Sequence, residues 1–471
     1  MLPAIIFDHP ANLKRRTKKM SKLFRLYILI AATIFTLTGF CQSNSYDPSR
    51  LYSVSELQTD FKFLQATLEK THPNLYLYTP KEKLNLFFDS LYKCIVKPLS
   101  ELEFYNLVTL INSKVKDGHT MLLPSEEAGN YFNENAKFFP FYISILNNRL
   151  YVNMNCSADT SIKEGAEIVN INGSDTKIIL KYLLTRQIRD GNNQTYPIWI
   201  LTNYFKEYFS FSFGHPDTFA ITYKTSKTDN LTKTINALSK DSIRFYRQVK
   251  YAKRNLISNE KQGITLQTNK QLSVATLSIK RFDSDILKSV YKQDFDSTIK
   301  EIFNNICKDR IQNLILDIRN NQGGDFETGK LLLSYLLLKP INYLPYCSES
   351  EIITPKQNSF KGNLFVLING GSFSSAVILS SYLETAKRAV FIGEETGGNK
   401  IIISGNPIDT ILPNTKITFQ IATTKYVIRK NLNLGNGIIP KYHTTFTIDN
   451  IITEKDITKE LALSIISKDK K

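Results

Sequence analysis

The sequence predicts an α/β protein built from three successive regions, because the hydrophobic period changes along the chain. Residues 50–135 place apolar side chains at helix spacing, and residues 136–240 change to the alternation that is typical of strands. Residues 241–471 alternate short apolar runs with helix-like segments, as expected for a mostly parallel sheet covered by helices. We therefore expect a helical N-terminal region, a β-rich module and an α/β core.

The first 41 residues form a separate segment, in which a basic run precedes an apolar run. KRRTKKMSKLFR (14–25) is followed by LYILIAATIFTLTGF (26–40) and then by polar residues. This order is typical of a secretory signal peptide, and the apolar run is shorter than the roughly 20 residues that span a membrane. We expect removal after Cys41, an exported or periplasmic product and no stable membrane span. A membrane anchor and a lipid-modified Cys41 are the alternatives.

Charge and cysteine content exclude several classes of function. The formal net charge is +17, but the charges are scattered without a dense Lys/Arg stripe, so we expect no nucleic-acid partner. The later cysteines lie far apart and form no Cys-x-x-Cys pair, which excludes a zinc ribbon and a disulfide-dense scaffold. We expect neither a metal nor an organic cofactor.

The helical region opens with SVSELQTDFKFLQATLEKTHP (53–73). Ser53, with Glu56 three residues later, fits a capping box, and Pro73 ends the apolar pattern. TPKEKLNLFFDSLYKCI (79–95) and SELEFYNLVTLINSKV (100–115) repeat the same arrangement. These segments predict consecutive helices.

The β-rich module begins with FFPFYISILNNRLYVNMN (138–155), which predicts a hairpin with its turn at Asn147-Asn148. The following IKEGAEIVNINGSDTKIILKYLL (162–184) indicates a turn, a short strand, a second turn and a helix. This order resembles a PDZ domain. The resemblance implies a PDZ-like module over residues 136–240 that grips an extended peptide by strand addition; a purely structural role is the alternative.

Two strand ends in the α/β core carry residues suited to chemistry. In NLILDIRNNQGGDFETG (313–329), Gly323-Gly324 permits a turn with exposed N–H groups that suits an anionic oxygen; an ordinary turn is the alternative. In NGGSFSSAVIL (369–379), a strand ends and a helix begins near Ser374 or Ser375. A serine at such an elbow projects from the sheet, although serine also caps helices.

A serine nucleophile needs a base, and the five histidines are the first candidates. His9 is lost with the signal peptide, and spacing alone does not choose among the others: His72, His119, His215 and His443.

Five short motifs occur in the order seen in tail-specific, or C-terminal processing, peptidases. They are DGHT (117–120), LILDIRNNQGG (314–324), GSFSSA (371–376), RAVFIGEETGG (388–398) and GNGIIP (435–440). The resemblance covers most of residues 55–465. It implies a crotonase-like ββα peptidase core over residues 241–471, beside the PDZ-like module and the helical N-terminal region.

The resemblance also implies roles for individual residues. It places the nucleophile at Ser374 and the oxyanion donors at the N–H groups of Ser375 and of Gly323 or Gly324. Many family members use a Ser–Lys dyad, but the matching position here is Asn399, with Lys400 one place later.

A branch similar to the tricorn core protease takes its base from the position of DGHT. The resemblance therefore implies His119 as base, with Lys400 as the alternative. RKNLNL, before GNGIIP, contains no acid, so Glu395 is expected to orient the imidazole. The implied function is an exported serine endopeptidase that cleaves polypeptides, with C-terminal tails as the implied target. A catalytically inactive protein that binds a peptide or an apolar ligand is the alternative.

Overall fold

The computed structural model describes residues 46–225, 228–254, 261–348, 350–430 and 434–468. The predicted signal peptide, with Cys41 at its end, lies outside these residues. Within them, no helix combines the length and the apolar character that crossing a membrane requires.

The helices fall into three groups along the chain. The N-terminal group comprises α1 (Val54–Thr71), α2 (Lys81–Lys93), α3 (Glu101–Val108), a 3-10 turn (Thr109–Ile111), α4 (Asn112–Val115) and α5 (Glu126–Asn135). The middle group comprises α6 (Thr176–Arg186), α7 (Thr195–Phe213) and α8 (Lys240–Lys250). The C-terminal group comprises α9 (Ser284–Ser289), α10 (Phe295–Lys308), α11 (Phe326–Leu336), α12 (Ser375–Thr385), α13 (Ile448–Ile452) and α14 (Ile457–Lys468).

The strands are short and are distributed over several sheets. Those before residue 240 are β1 (Met121–Leu123), β2 (Phe141–Leu146), β3 (Arg149–Asn155), β4 (Glu167–Ile171), β5 (Ser174–Asp175), β6 (Thr218–Thr225) and β7 (Thr228–Asn236). Those of the core sheet are β8 (Ile264–Asn269), β9 (Val274–Ile279), β10 (Asn313–Asp317), β13 (Asn363–Ile368), β14 (Ala389–Gly393) and β19 (Tyr442–His443). The others are β11 (Ile341–Tyr343), β12 (Glu351–Ile353), β15 (Ile402–Gly405), β16 (Ile408–Ile411), β17 (Thr418–Ile421) and β18 (Thr424–Val427).

The N-terminal helices form as the sequence predicts. The Ser53 hydroxyl accepts the N–H of Glu56 at 3.3 Å, and the Glu56 carboxylate accepts the N–H of Ser53 at 2.7 Å. This reciprocal pair is the predicted capping box, which is confirmed. Of the five apolar side chains that predict this helix, Phe63 is 38% exposed and the other four are fully buried: Leu57, Phe61, Leu64 and Leu68.

The β-rich module is an antiparallel sheet in the order β2-β3-β4-β6-β7, with β5 paired to β4. Asn147 and Asn148 join β2 to β3 with φ angles of 50° and 57°. Left-handed backbone at both positions is what a tight two-residue hairpin turn requires, and asparagine tolerates it. The predicted hairpin and the helix that follows β5 are confirmed.

The core sheet has the order β19-β14-β13-β10-β9-β8, and only β8 runs antiparallel to its neighbour. Along β10, Leu314 and Leu316 pack with α10, α11 and α12, whereas Ile315 points to the other face and packs with α14. Helices therefore bury both faces, which explains why the strand is a continuous apolar run. The predicted mixed α/β fold is confirmed.

Sheet register places two of the sequence motifs side by side. β10 and β13 are parallel, with Asp317 opposite Leu367, so the residues that follow both strands leave the same edge of the sheet. The Ile318 carbonyl accepts the hydroxyl of Ser372 at 2.8 Å, which joins the two loops. β1 pairs with β17 in a separate three-stranded sheet, which ties the segment before Met121 to the C-terminal part of the chain.

The contact between the helical region and the core depends on the buried carboxylate of Asp60. Its oxygens accept hydrogen bonds from the N–H groups of Asn414 and Thr415, both at 2.8 Å, and from the Thr415 hydroxyl at 2.6 Å.

Substitution Asp60→Ala leaves these donors unsatisfied, and we expect a loss of about 3 kcal/mol in the free energy of unfolding. Urea denaturation measures it. Asp89→Ala, an exposed position on α2, is the matched control, and equal midpoints for the two variants would contradict the prediction.

Candidate active site

Ser374 stands at the elbow between β13 and α12. Its backbone has φ 54° and ψ −123°, a conformation that non-glycine residues rarely adopt, and its side chain makes no capping bond. Strained backbone of this kind costs about 1–3 kcal/mol and is concentrated at functional sites. The elbow therefore directs the Ser374 hydroxyl away from its own helix.

The neighbouring serines use their hydroxyls to hold the backbone. Ser372 donates to the Ile318 carbonyl at 2.8 Å, and Ser375 donates to the Gly324 carbonyl at 2.6 Å. The three serines of the GSFSSA motif thus differ: two stabilise the loops, and Ser374 remains available for another partner.

That partner is His119. Its Nε2 lies 3.0 Å from Ser374 Oγ, although the two residues are 255 positions apart in the chain. Both residues are buried, with 3% of His119 and 8% of Ser374 exposed. Phe373 stacks on the imidazole with a centroid separation of 4.7 Å and so limits its rotation. The structure thus brings together the serine and the histidine singled out in the sequence.

Burial keeps His119 neutral at physiological pH. Removal from water lowers the pKa of the imidazole well below its ordinary value, and the nearby Asp117 carboxylate opposes that shift. A neutral imidazole has a free lone pair, so Nε2 can accept the proton of the Ser374 hydroxyl.

Asp117 holds the backbone of His119. Its Oδ1 accepts the N–H of His119 at 2.8 Å, and its Oδ2 lies 3.5 Å from Nε2 of the buried His72. Burial alone would raise the pKa of Asp117, but the adjacent His72 side chain, with smaller contributions from His119 and Ser404, outweighs burial and keeps the pKa below its usual range. The site therefore contains a buried carboxylate that stays ionised beside the imidazole.

A second buried carboxylate, Asp190, lies in the loop between α6 and α7. Its Oδ1 accepts the N–H of Gly118 at 2.8 Å, and its Oδ2 accepts the N–H of Asn399 at 3.0 Å. A side chain at Gly118 would place Cβ 2.5 Å from Cζ of Phe373, so only glycine allows this approach. Burial and the charge of Asp117 raise the pKa of Asp190 to about 7.

The glycine loop approaches Ser374 closely. A Cβ on Gly323 would lie 2.8 Å from both Ser374 Cβ and the Ser375 nitrogen. The Gly323 N–H donates to Asn321 Oδ1 at 2.9 Å. Among the residues that the structure describes, the N–H groups of Gly324 and Ser375 donate to no protein acceptor. Of the two glycines expected to bind an oxyanion, Gly324 thus has the available donor.

The structure does not bring Glu395 to the imidazole. Glu395 Oε1 accepts the N–H of Gly437 at 2.7 Å and so holds the GNGIIP segment. His119 Nδ1 is buried and has no hydrogen-bond partner in the described part of the chain. The orienting role that the resemblance implied for Glu395 is not supported by these contacts.

Lys400, the alternative base, is engaged elsewhere. Its Nζ lies 3.0 Å from Glu384 Oε1, in an ion pair that Arg429 shares. The preceding Asn399 donates from Nδ2 to the Tyr78 hydroxyl at 2.7 Å and accepts the N–H of Ile401 through Oδ1. Of the two candidate bases, His119 is therefore the one within hydrogen-bond reach of Ser374.

Comparison with known families identifies the C-terminal half. Residues 273–444 match the family described as peptidase family S41. The chain carries an S41 domain. This domain contains Ser374, the two glycines and Glu395, whereas His119 lies before it. The predicted peptidase family is confirmed for residues 273–444.

Curated relatives of the chain include two chloroplast enzymes. Carboxyl-terminal-processing peptidase 3 of Arabidopsis thaliana is 33% identical over 169 residues, which are 34% of this chain and 31% of that protein. The C-terminal processing peptidase of Tetradesmus obliquus is 29% identical over 118 residues, or 24% of this chain and 25% of that protein. The chain thus matches less than a third of the length of each relative.

Structural similarity extends beyond the S41 domain. The crystal structure of mature CPAF superimposes with a TM-score of 0.62 at 15% sequence identity, and it covers 88% of this chain and 98% of that one. The helical region and the β-rich module therefore belong to a fold that CPAF shares.

Sequence reasoning did not assign Asp190 or Asp117 a role. Asp190 opens the run DGNN, which carries no recognised motif, and only the fold reveals that it accepts backbone N–H groups of two distant segments. Asp117 belongs to the DGHT motif, but its contact with His72 depends on the packing of the N-terminal helices.

The low pKa of His119 can be measured directly. We expect the imidazole to titrate well below 6.5, because burial disfavours the charged form. NMR of 13C-histidine-labelled protein would follow it, with His119→Gln identifying the signal. The unfolded chain takes up this proton below about pH 6.5 and the folded chain does not, so His119 makes stability fall as the pH drops below 6.5. A midpoint at or above 6.5 would contradict the prediction.

Proposed function

We propose that the chain is an exported serine-type endopeptidase that cleaves polypeptides, with Ser374 as nucleophile and His119 as base. The observation that carries the proposal is the 3.0 Å separation of His119 Nε2 and Ser374 Oγ at the start of a buried helix of the S41 domain. Relatives named as carboxyl-terminal-processing peptidases support cleavage near C-terminal tails. The signal-like N-terminus supports export.

The architecture within this proposal has three parts. The S41 domain forms a crotonase-like core, the antiparallel sheet of residues 136–240 is a PDZ-like module, and the N-terminal helices supply the base. Support comes from the parallel core sheet, from the strand–turn–helix order after Glu164 and from α4, which ends just before Asp117.

Proton transfer begins with the neutral imidazole. Ser374 Oγ attacks the scissile carbonyl while His119 Nε2 takes its proton, and the imidazolium then returns that proton to the leaving amine. The positive charge that forms on the imidazole faces Asp117, whose pKa is held below its usual range. Asp117 thus stabilises the charged intermediate state electrostatically, while its Oδ1 fixes the backbone of the base.

The tetrahedral oxyanion is bound by two backbone donors in this mechanism. The N–H of Ser375 lies at the positive end of α12, and the N–H of Gly324 lies in the adjacent loop. One such donor typically contributes about 100- to 1,000-fold in rate. Because both donors belong to loops tied together by the Ser375 hydroxyl, their spacing is fixed before substrate binds.

One observation favours a second candidate function. His119 Nδ1 has no acceptor within the described residues, so no protein group there fixes the tautomer in which Nε2 is the base. Loss of the tautomer-fixing carboxylate costs about 10⁴-fold in well-known serine peptidases. A catalytically inactive protein of the same fold, which binds a peptide or an apolar ligand, is therefore the competing proposal.

A fluorophosphonate probe distinguishes the two candidates. We expect the wild-type chain to be labelled at Ser374 and Ser374→Ala to lose labelling, because the probe reacts only with an activated serine. Gel fluorescence and peptide mass spectrometry measure it. Ser380→Ala is the matched control, since Ser380 lies in the same helix and its hydroxyl only bonds the Ala376 carbonyl. An unlabelled wild type, or equal labelling of Ser374→Ala, would favour the inactive binding protein.

The identity of the base is tested by a pair of substitutions. We expect His119→Gln to lower kcat/KM for a polypeptide substrate by at least about a thousandfold, because the serine loses its proton acceptor. Lys400→Met breaks only the ion pair with Glu384 and should stay within about tenfold of the wild type. A larger loss for Lys400→Met than for His119→Gln would assign the base to Lys400 instead.

A further inference from the structure

A large cavity lies apart from Ser374, between the helical region, the β-rich module and the loop that carries Asp190. Its volume is about 570 Å³, within the usual range for small-molecule sites. Four cationic side chains line it and no acidic side chain does: Lys116, Lys177, Lys181 and Arg189. Hydroxyl and amide groups complete the polar lining, among them Ser113, Asn148 and Thr185.

These four cations have no acidic partner among the described residues. In the part of the chain that the structure describes, none of them lies within ion-pairing distance of an aspartate or a glutamate. Lysine and arginine on a convex surface are compensated by water, but a concave wall brings like charges together and excludes part of that water. A cluster of positive charges without acidic partners therefore attracts anions.

Arg189 is held by protein groups, but one of its donors has no hydrogen-bond partner among the described residues. Its guanidinium donates to Gln194 Oε1 at 3.1 Å and to the Leu184 carbonyl, which fixes its orientation. The Nε atom is buried and has no hydrogen-bond partner among the described residues. Burial lowers the pKa of Arg189, as expected for a charge without a partner.

Lys116 faces the same cavity in a fixed position. It ends α4 in the left-handed conformation, with φ 54°, and its Nζ donates to Asn192 Oδ1 at 2.8 Å. Burial, and then the charges of Arg189 and Lys114, lower its pKa. Two of the four cations are therefore held in place before any ligand arrives, while Lys177 and Lys181 are exposed on α6 and can adjust to one.

We propose that this cavity is a binding site for a small polyanion that carries phosphate or carboxylate groups. A ligand with at least two negative charges can contact the fixed pair and the exposed pair together. Arginine donates to such an oxyanion through a planar fork, and lysine through a mobile ammonium group. The proposal goes beyond the peptidase function and does not depend on it.

Calorimetric titration of the full chain with pyrophosphate and with citrate tests the site, at an ionic strength held constant with sodium chloride. We expect saturable binding of at least one of them, and the tighter of the two indicates whether phosphate or carboxylate is preferred. Lys177→Gln combined with Lys181→Gln removes two exposed charges without disturbing the core. This double variant should bind about tenfold more weakly or worse.

The matched control removes two exposed lysines of α10, Lys300→Gln with Lys308→Gln, which lie outside the cavity lining. It should bind as the wild type does, and so should Ser374→Ala, because the nucleophile takes no part. Saturation of neither anion below about 1 mM would overturn the proposal. Equal weakening by the control pair would also overturn it, because attraction by net charge alone would then explain the binding.

Discussion

The carboxylate of Asp190 is the constraint on which the geometry of the candidate site depends. It accepts one backbone N–H next to His119 and another at Asn399, in the segment that follows the core strand β14. Neighbouring residues of the same loop add further links: Gly191 donates to the Lys116 carbonyl at 2.9 Å, and Asn193 Nδ2 donates to the Thr396 carbonyl at 2.9 Å. One short loop thus contacts the helical region, the β-rich module and the S41 domain.

The same region contains two buried carboxylates, which would repel each other if both were ionised. The structure resolves this by giving them different surroundings. Asp117 lies beside His72, which favours its ionised form, whereas burial and the charge of Asp117 raise the pKa of Asp190 to about 7. Asp117 is therefore the more fully ionised of the two at neutral pH, and its negative charge favours the protonated form of the nearby His119 imidazole, while burial keeps the resting imidazole neutral.

Local patterns in the sequence were sufficient to predict many structural elements of this protein. The capping box at Ser53, the Asn147-Asn148 hairpin and the elbow before α12 follow from rules that act within a few residues, and they were predicted. His119 was selected through a resemblance, because nothing local distinguishes it from His72, which is also buried and also touches Asp117. The position of Asp190, and the bond that takes Glu395 to Gly437 instead of the imidazole, depend on long-range packing that no short pattern encodes.

The separation of His119 and Ser374 has a consequence for the order of events during synthesis. The proposed base leaves the ribosome long before the nucleophile, and the S41 domain by itself contains no residue 119. Domains fold largely as they emerge, from the N-terminus onward. A partly made chain therefore has His119 without Ser374, and the pair forms only after residue 374 has been made and the two regions have docked. If the proposed function holds, separation of this kind delays any cleavage inside the cell that makes the protein.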